Sequence, residues 1–398
     1  MNTEHRTPNT ALSAIRLATE HDRNRWDAYV QTHPEGLGYH RWAWREAVER
    51  AYRFECPYLL AEESGDVKGV LPLVYLKPPI LRGKLVSLPY CDVGGVLADD
   101  AETEGTLVAR AMKLAEELGV KGLELRNSSR FNVPSSELNL VMRDPELLTS
   151  NPEQVSWNAE HGTLNREPRT ANIEPRTPSK VRMVLNLPAS SGALLAGFKA
   201  KHRSQVRKPE RDGLTTRLGG AELLSQFYGI FSENMRDLGS PVHSRDWFSS
   251  VVATYGEYCR IGIVYLPDGT PGAGGIILLN GNTVSIPWAS SLRRYNRQNP
   301  NMLLYWSVLA FAADRGYGRF DFGRSTLGEG TYKFKEQWGA RPQPLGWMVL
   351  GTKGRGVAMN GSVRPPGSGR RVAEAVIRYL PVTVATILGA KVRRYVSL

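Results

Sequence analysis

The chain has 398 residues, 41% hydrophobic and 23% charged, which excludes a disordered or low-complexity protein and leaves material for two domain-sized cores. Its formal net charge of +12 favours anionic partners such as nucleic acid, phosphorylated substrates or an anionic membrane surface, or does no more than keep the chain soluble. The three cysteines, Cys56, Cys91 and Cys259, are too few and too scattered for a disulfide framework or a zinc knuckle, so buried thiols in a reducing compartment are expected.

The first ten residues are polar and lack an apolar h-region, so a standard signal peptide is not expected. Nor does any apolar run reach the roughly 20 residues that span a bilayer. Residues 1–20 read as a flexible N-terminus. Trp44, Ala47, Val48 and Ala51 then share one helical face, and Trp42 and Trp44 are assigned to the core. Tyr58–Val74 has an apolar run on each side of a turn at Ser64–Asp66 and predicts an antiparallel hairpin. Ser87–Asp92 predicts a further strand with a proline and an aromatic residue. Leu107, Ala111, Leu114, Ala115 and Leu118 predict a helix that Gly119 ends, before an alternating strand up to Ser129. A polar, Pro-containing stretch over 146–180 predicts a linker or long surface loop.

The same plan recurs after that linker. Leu223, Leu224, Phe227, Ile230 and Phe231 form a helical face. Arg260–Leu279 repeats the hairpin around Pro267–Gly269, and Ser285–Ser290 repeats Ser87–Asp92. Phe311–Thr326 aligns without a gap on Leu114–Ser129, with Gly316 at the helix end where Gly119 stood. Three matches in the same order indicate an internal duplication. The expected fold class is α/β (α+β), with two tandem domains at 21–145 and 181–350. Each is a mixed, largely antiparallel sheet flanked by helices. Residues 351–398 read as a basic linker and an apolar, basic-flanked tail broken at Pro381. That tail either packs on the body or lies on a membrane surface.

Three stretches resemble FemAB-type proteins, a branch of the acetyltransferase-like GNAT superfamily. They are the basic helix Lys199–Lys208, the loop Asn234–His243 and the strand–loop–Phe-Lys segment Phe320–Gly339. The resemblance covers roughly residues 20–350 and is nearest the subgroup linked to exosortase and exopolysaccharide systems. It implies amide-forming acyl transfer. In cell-wall members of the family an amino acid passes from aminoacyl-tRNA to an amine of a peptidoglycan precursor. The implied partners are an activated donor (aminoacyl-tRNA or acyl-CoA) and an envelope glycan or peptide precursor. One departure is that the glycine-rich pyrophosphate loop of acyl-CoA-dependent relatives is missing, since Gly272–Gly275 leads into a strand.

Acyl transfer to an amine needs a neutral amine, a stabilised oxyanion and a good leaving group, and activated donors bring phosphates that cations hold. The family's Phe-Lys motif falls on Phe334-Lys335, so the resemblance makes Lys335 the leading catalytic candidate. Tyr332 and Lys333 beside it are candidates for substrate binding. Asp321 and Arg324 flank a strand end, where α/β ligands sit. Asp321 would handle the amine proton and Arg324 a phosphate or carboxylate, unless the two simply pair with each other. Arg203 and Arg207 stand one turn apart on the basic helix and suit a diphosphate or an RNA backbone, or form a solvated face. Arg236 and His243 belong to the family-like loop; His243 would shuttle protons or be a structural loop histidine. Trp288 and Tyr295 would line an acceptor groove or pack in the core. No cofactor, metal or covalent enzyme intermediate is expected. The competing readings are a nucleic-acid-binding module and a non-catalytic scaffold of an exopolysaccharide assembly held at the membrane by the tail.

Overall fold

The computed structural model describes residues 14–79, 82–128, 180–352, 357–359 and 368–397; most of the stretch read as a linker lies outside them. In the first half, β1 (Ala14–Leu17), α1 (Arg23–Thr32) and α2 (Trp42–Tyr52) precede the hairpin β2 (Leu59–Glu63) and β3 (Asp66–Leu71). Then come β4 (Val74–Leu76), β5 (Lys84–Val86), β6 (Leu97–Ala98), α3 (Ala101–Glu117) and β7 (Gly122–Ser128). The second half opens with β8 (Lys180–Asn186), α4 (Ser191–Gly197), α5 (Ala200–Arg211), β9 (Thr215–Gly219), α6 (Leu224–Leu238) and α7 (Arg245–Tyr255). It continues with β10 (Cys259–Tyr265), β11 (Pro271–Asn280), β12 (Thr283–Ser291), α8 (Pro300–Asp314), β13 (Arg319–Thr326), α9 (Gly330–Glu336) and β14 (Arg341–Gly351). A short β15 (Val357–Met359) and the tail helices α10 (Ser368–Tyr379) and α11 (Val382–Arg393) complete the described chain.

The duplication is visible in space. Both hairpins are antiparallel, and Ser64 and Gly65 take the positive φ their tight turn demands. In each half a helix ends on a left-handed glycine, Gly119 or Gly316. The strand that follows pairs in parallel with an earlier one, β7 with β5 and β13 with β12. The copies differ at the second matched piece. Ser285–Ser290 stays within β12, whereas Ser87–Asp92 leaves the sheet as a loop with Leu88 and Tyr90 at positive φ. The N-terminus also departs from expectation: Ala14–Leu17 is a sheet strand paired with β2.

Within the first half lies a four-stranded sheet, β1-β2-β3-β6. The main sheet runs β4-β5-β7-β14-β8-β13-β12-β11-β10-β9, with β15 on β14. Strand β14 joins the halves, pairing with β8 over Arg341–Pro344 and with β7 over Leu345–Gly351. Each half has its own apolar core, and a third core lies between them. There Trp44 of α2 stacks on Trp288 at 6.1 Å and meets Trp247 of α7 edge-on at 5.2 Å. Burial of such large rings couples the halves energetically. Cys56, Cys91 and Cys259 are buried free thiols whose pKa burial raises, in keeping with an inert structural role. Among the described residues no helix is long and apolar enough to cross a membrane.

Candidate active site at the strand divergence

Strands β12 and β13 pair in parallel only from Thr283–Arg319 to Ser285–Asp321 and then diverge. At the same point β13 carries a bulge against β8: Asp321 faces Val184 and Arg324 faces Arg182, so three steps on one strand match two on the other. Strict alternation would put Asp321 and Arg324 on opposite faces; the bulge puts both on the face that carries Arg182. The apolar residues Phe320 and Phe322 point the other way, into the second-half core.

Four side chains hold this bend. Asp321 Oδ1 accepts the Gly323 N–H at 2.8 Å, and its Oδ2 accepts Arg182 Nε at 3.0 Å, with both residues buried. Gly323 sits at φ +71°, where a side chain would be strained. Lys335 Nζ reaches back from α9 and donates to the carbonyls of Gly323 (3.1 Å) and Arg324 (2.8 Å). The first half supplies the fourth: Asp92 Oδ2 accepts the Arg324 N–H at 2.9 Å, and its other oxygen lies 3.4 Å from Arg324 Nε. Trp347 Nε1 donates to the Asp92 carbonyl at 2.8 Å, and the guanidinium carbons of Arg126 and Arg324 each lie 5.2 Å from its ring centre.

The site is therefore built from both halves. The loop that carries Asp92 is held by fully buried Arg126, which donates to the carbonyls of Leu88 (3.3 Å) and Cys91 (2.7 Å) and pairs with Glu124. Burial pushes the Lys335 ammonium down to about 8, against the pull of the Asp92 and Asp321 carboxylates. Burial also raises the Tyr39 phenol well above its ordinary value, helped by the charges of Asp321 and Asp92, which keeps it a neutral O–H donor.

A cleft of about 870 Å³ opens on the other side of α9, lined among others by Phe198, Lys199, Lys201, His202, Lys333 and Trp338. Two helical positions differ by about 200°, so Lys333 meets the cleft while Lys335 meets the bulge. The segment Gly330–Glu336 is a helix, so the two lysines do not share a face. The His202 ring is wedged between Phe198 and Trp338 with centroids 4.7 and 4.5 Å away, and burial lowers its pKa.

The sequence candidates thus separate. Lys335, Asp321 and Arg324 come together, with Asp321 paired to Arg182 and Arg324 to Asp92. Tyr332 is half-buried against the second-half core. Arg203 bonds the Phe198 carbonyl at the end of α4, and Arg207 is exposed beside it on α5. Arg236 pairs with Asp237 and donates to the Leu380 carbonyl of the tail. His243 is buried in the aromatic core between the halves, with Nδ1 2.9 Å from the Tyr52 hydroxyl. Burial drives its pKa well below 6.5, so it is neutral at pH 7. Trp288 is likewise a core residue, and Tyr295 is partly buried under Arg294. Asp92, Arg126 and Arg182 escaped sequence reasoning. The signal for Asp92 lay in the duplication, where it stands opposite Ser290. Among the described residues no group of His, Cys, Asp and Glu could hold a metal ion.

Comparison with known proteins assigns the second half. Residues 196–336 match the acetyltransferase (GNAT) domain. Among solved structures, FemX superposes with a TM-score of 0.61 at 15% identity, covering 83% of this chain and 95% of that one. A conserved protein of unknown function from Bacteroides thetaiotaomicron VPI-5482 superposes with a TM-score of 0.52 at 9% identity, over 86% and 100%. At such identities these likenesses are of fold. No curated protein matches the sequence. The fold is a tandem GNAT-like one, and the domain type makes the chain an acyltransferase.

Proposed function

We propose that this chain transfers an acyl or aminoacyl group directly to an amine of a cell-envelope precursor, of peptidoglycan or exopolysaccharide type, at the inner face of the cytoplasmic membrane. The observation that carries the reading is the bent end of β13, where Lys335, Asp321, Arg324 and Asp92 from both halves converge beside diverging parallel strands. The resemblance of Phe320–Gly339 to the FemAB-type segment supports the choice of reaction.

The amine nitrogen attacks the acyl carbonyl carbon, the bond to the donor's oxygen or sulfur breaks, and the amine loses a proton. Asp92 is the more exposed of the two carboxylates and is placed to receive that proton. An ammonium has three N–H donors. Two from Lys335 fix the backbone, and the third supports the developing oxyanion in a site of low dielectric. Arg324, and Lys199, Lys201 and Lys333 around the neighbouring cleft, supply cations for the donor's phosphates.

Thermal unfolding with acetyl-CoA, longer acyl-CoAs and aminoacyl-tRNA tests this. A ligand bound only by the native state raises Tm in proportion to RT ln(1 + [L]/Kd). One donor class is expected to raise the wild-type Tm and to leave Lys335→Met unshifted. Absence of any shift across the panel would refute the reading.

A further inference from the structure

The C-terminal tail inverts the usual amphipathic rule. Helix α11 turns its small residues Ala385 and Gly389, one turn apart, onto the body. A Cβ at Gly389 would lie 2.7 Å from the Val242 nitrogen, so the helix approaches the body backbone closely. Its large aliphatic residues face outward: Val384, Ile387, Leu388 and Val392 are 40–56% exposed. Helix α10 adds Val376 and Tyr379, the latter 91% exposed. Their spacing makes one stripe on α11. By sequence, residues 368–397 hold six Lys and Arg against the single acid Glu374, but Arg393 and Arg394 turn onto the body, over the Tyr90 ring and onto the Tyr52 carbonyl. Arg378 and Lys391 are exposed alongside the apolar residues.

We propose that the outer face of α10 and α11 docks on an anionic lipid bilayer, lying in the interface plane. Apolar side chains entering the acyl boundary, with cations at headgroup level, are what such a surface recognises. Each helix has 12 residues, too short to span, and the break at Leu380–Pro381 lets both lie flat. A second copy of the chain fits less well, because pairing two such faces would bring cation against cation. The tail also reaches the site: Tyr90, two residues before Asp92, bonds the Arg394 carbonyl through its hydroxyl and the Ser397 carbonyl through its N–H at 2.8 Å. Docking would thus hold the site's first-half loop close to the bilayer. The inference goes beyond the reaction proposed above and does not depend on it.

Flotation of the full chain with vesicles tests the proposal. Vesicles with roughly a third phosphatidylglycerol are expected to carry the protein up. Pure phosphatidylcholine, or phosphatidylglycerol vesicles at high salt, should carry several-fold less. Ile387→Ser with Leu388→Ser should cut binding on the order of tenfold without changing Tm, since both side chains already face solvent. Failure to float with phosphatidylglycerol, or flotation unchanged in the double variant, would overturn the proposal. So would a concentration-dependent dimer that the double variant abolishes, which would assign the face to a second copy. A chain that floats but transfers nothing to an amine would sink the reaction and leave the docking intact.

Discussion

Replacing Lys335 with methionine separates two opposed effects of that side chain. Its ammonium gives two hydrogen bonds to the Gly323 and Arg324 carbonyls. Leaving those acceptors without a partner costs about 1–3 kcal/mol each. Against this, the fall of the Lys335 pKa from 10.5 to about 8 corresponds to roughly 3 kcal/mol spent burying a charge, and methionine removes that cost. At pH 7 the variant should therefore fall between about 1 kcal/mol more stable and about 3 kcal/mol less stable than wild type. Between pH 8 and 10.5 the unfolded chain still holds the Lys335 proton and the native chain has released it. Wild-type stability gains over that window, and the variant cannot share the gain. The gap should widen by roughly 3 kcal/mol from pH 7 to above pH 10. Urea unfolding of both proteins at the two pH values measures it. A gap that is the same at both would mean that Lys335 is not a buried ammonium, and the site built around it would fall.

Three other perturbations probe the same architecture. Asp321→Ala leaves Arg182 buried and unpaired, which should cost about 3–5 kcal/mol in urea unfolding; Asp321→Asn keeps an acceptor for the Gly323 N–H and should lose less. Gly323→Ala places a Cβ in a left-handed conformation 3.2 Å from Asp92 Oδ2 and should lose about 1–2 kcal/mol of stability, with a larger relative loss of transfer activity because the bend itself moves. His243 and His40 are buried and neutral, the latter with its pKa pushed down to about 3. Below pH 6.5 the unfolded chain binds protons that the native chain refuses, so wild-type stability should fall by about 1.4 kcal/mol per pH unit for each; His243→Gln should flatten the slope between pH 6.5 and 5.

Much of the fold was legible because local rules decide it. The Ser64–Gly65 turn, the glycine caps at 119 and 316 and the apolar helix faces each follow from backbone geometry and period alone. Gly272–Gly275 read as the lead-in to a strand but lie within β11, where Gly274 and Gly275 let Ile230 and Leu304 pack close to the sheet. The site was only half legible. Lys335, Asp321 and Arg324 lie within fifteen residues and announce themselves by chemistry. Their partners are backbone carbonyls, Arg182 on the neighbouring strand β8 and Asp92 in the other half, and none of these has a local signature. The bulge is equally silent in the sequence, yet it turns an alternating strand into one that presents two charged residues on one face. His243 read as a loop residue because its surroundings, Tyr52 and Tyr90, belong to the first half.

A single acyl-transfer site formed by residues from both halves can be tested on turnover. Turnover is read by mass spectrometry of the amide product. The assay offers aminoacyl-tRNA and acyl-CoA as donors and amine-bearing envelope precursors as acceptors to wild type, Lys335→Met and Asp92→Ala. Product is expected with wild type and at least a tenfold lower rate in each folded variant, Asp92→Ala included although that residue lies outside the matched domain. Equal rates in Asp92→Ala and wild type would contradict a site shared between the halves.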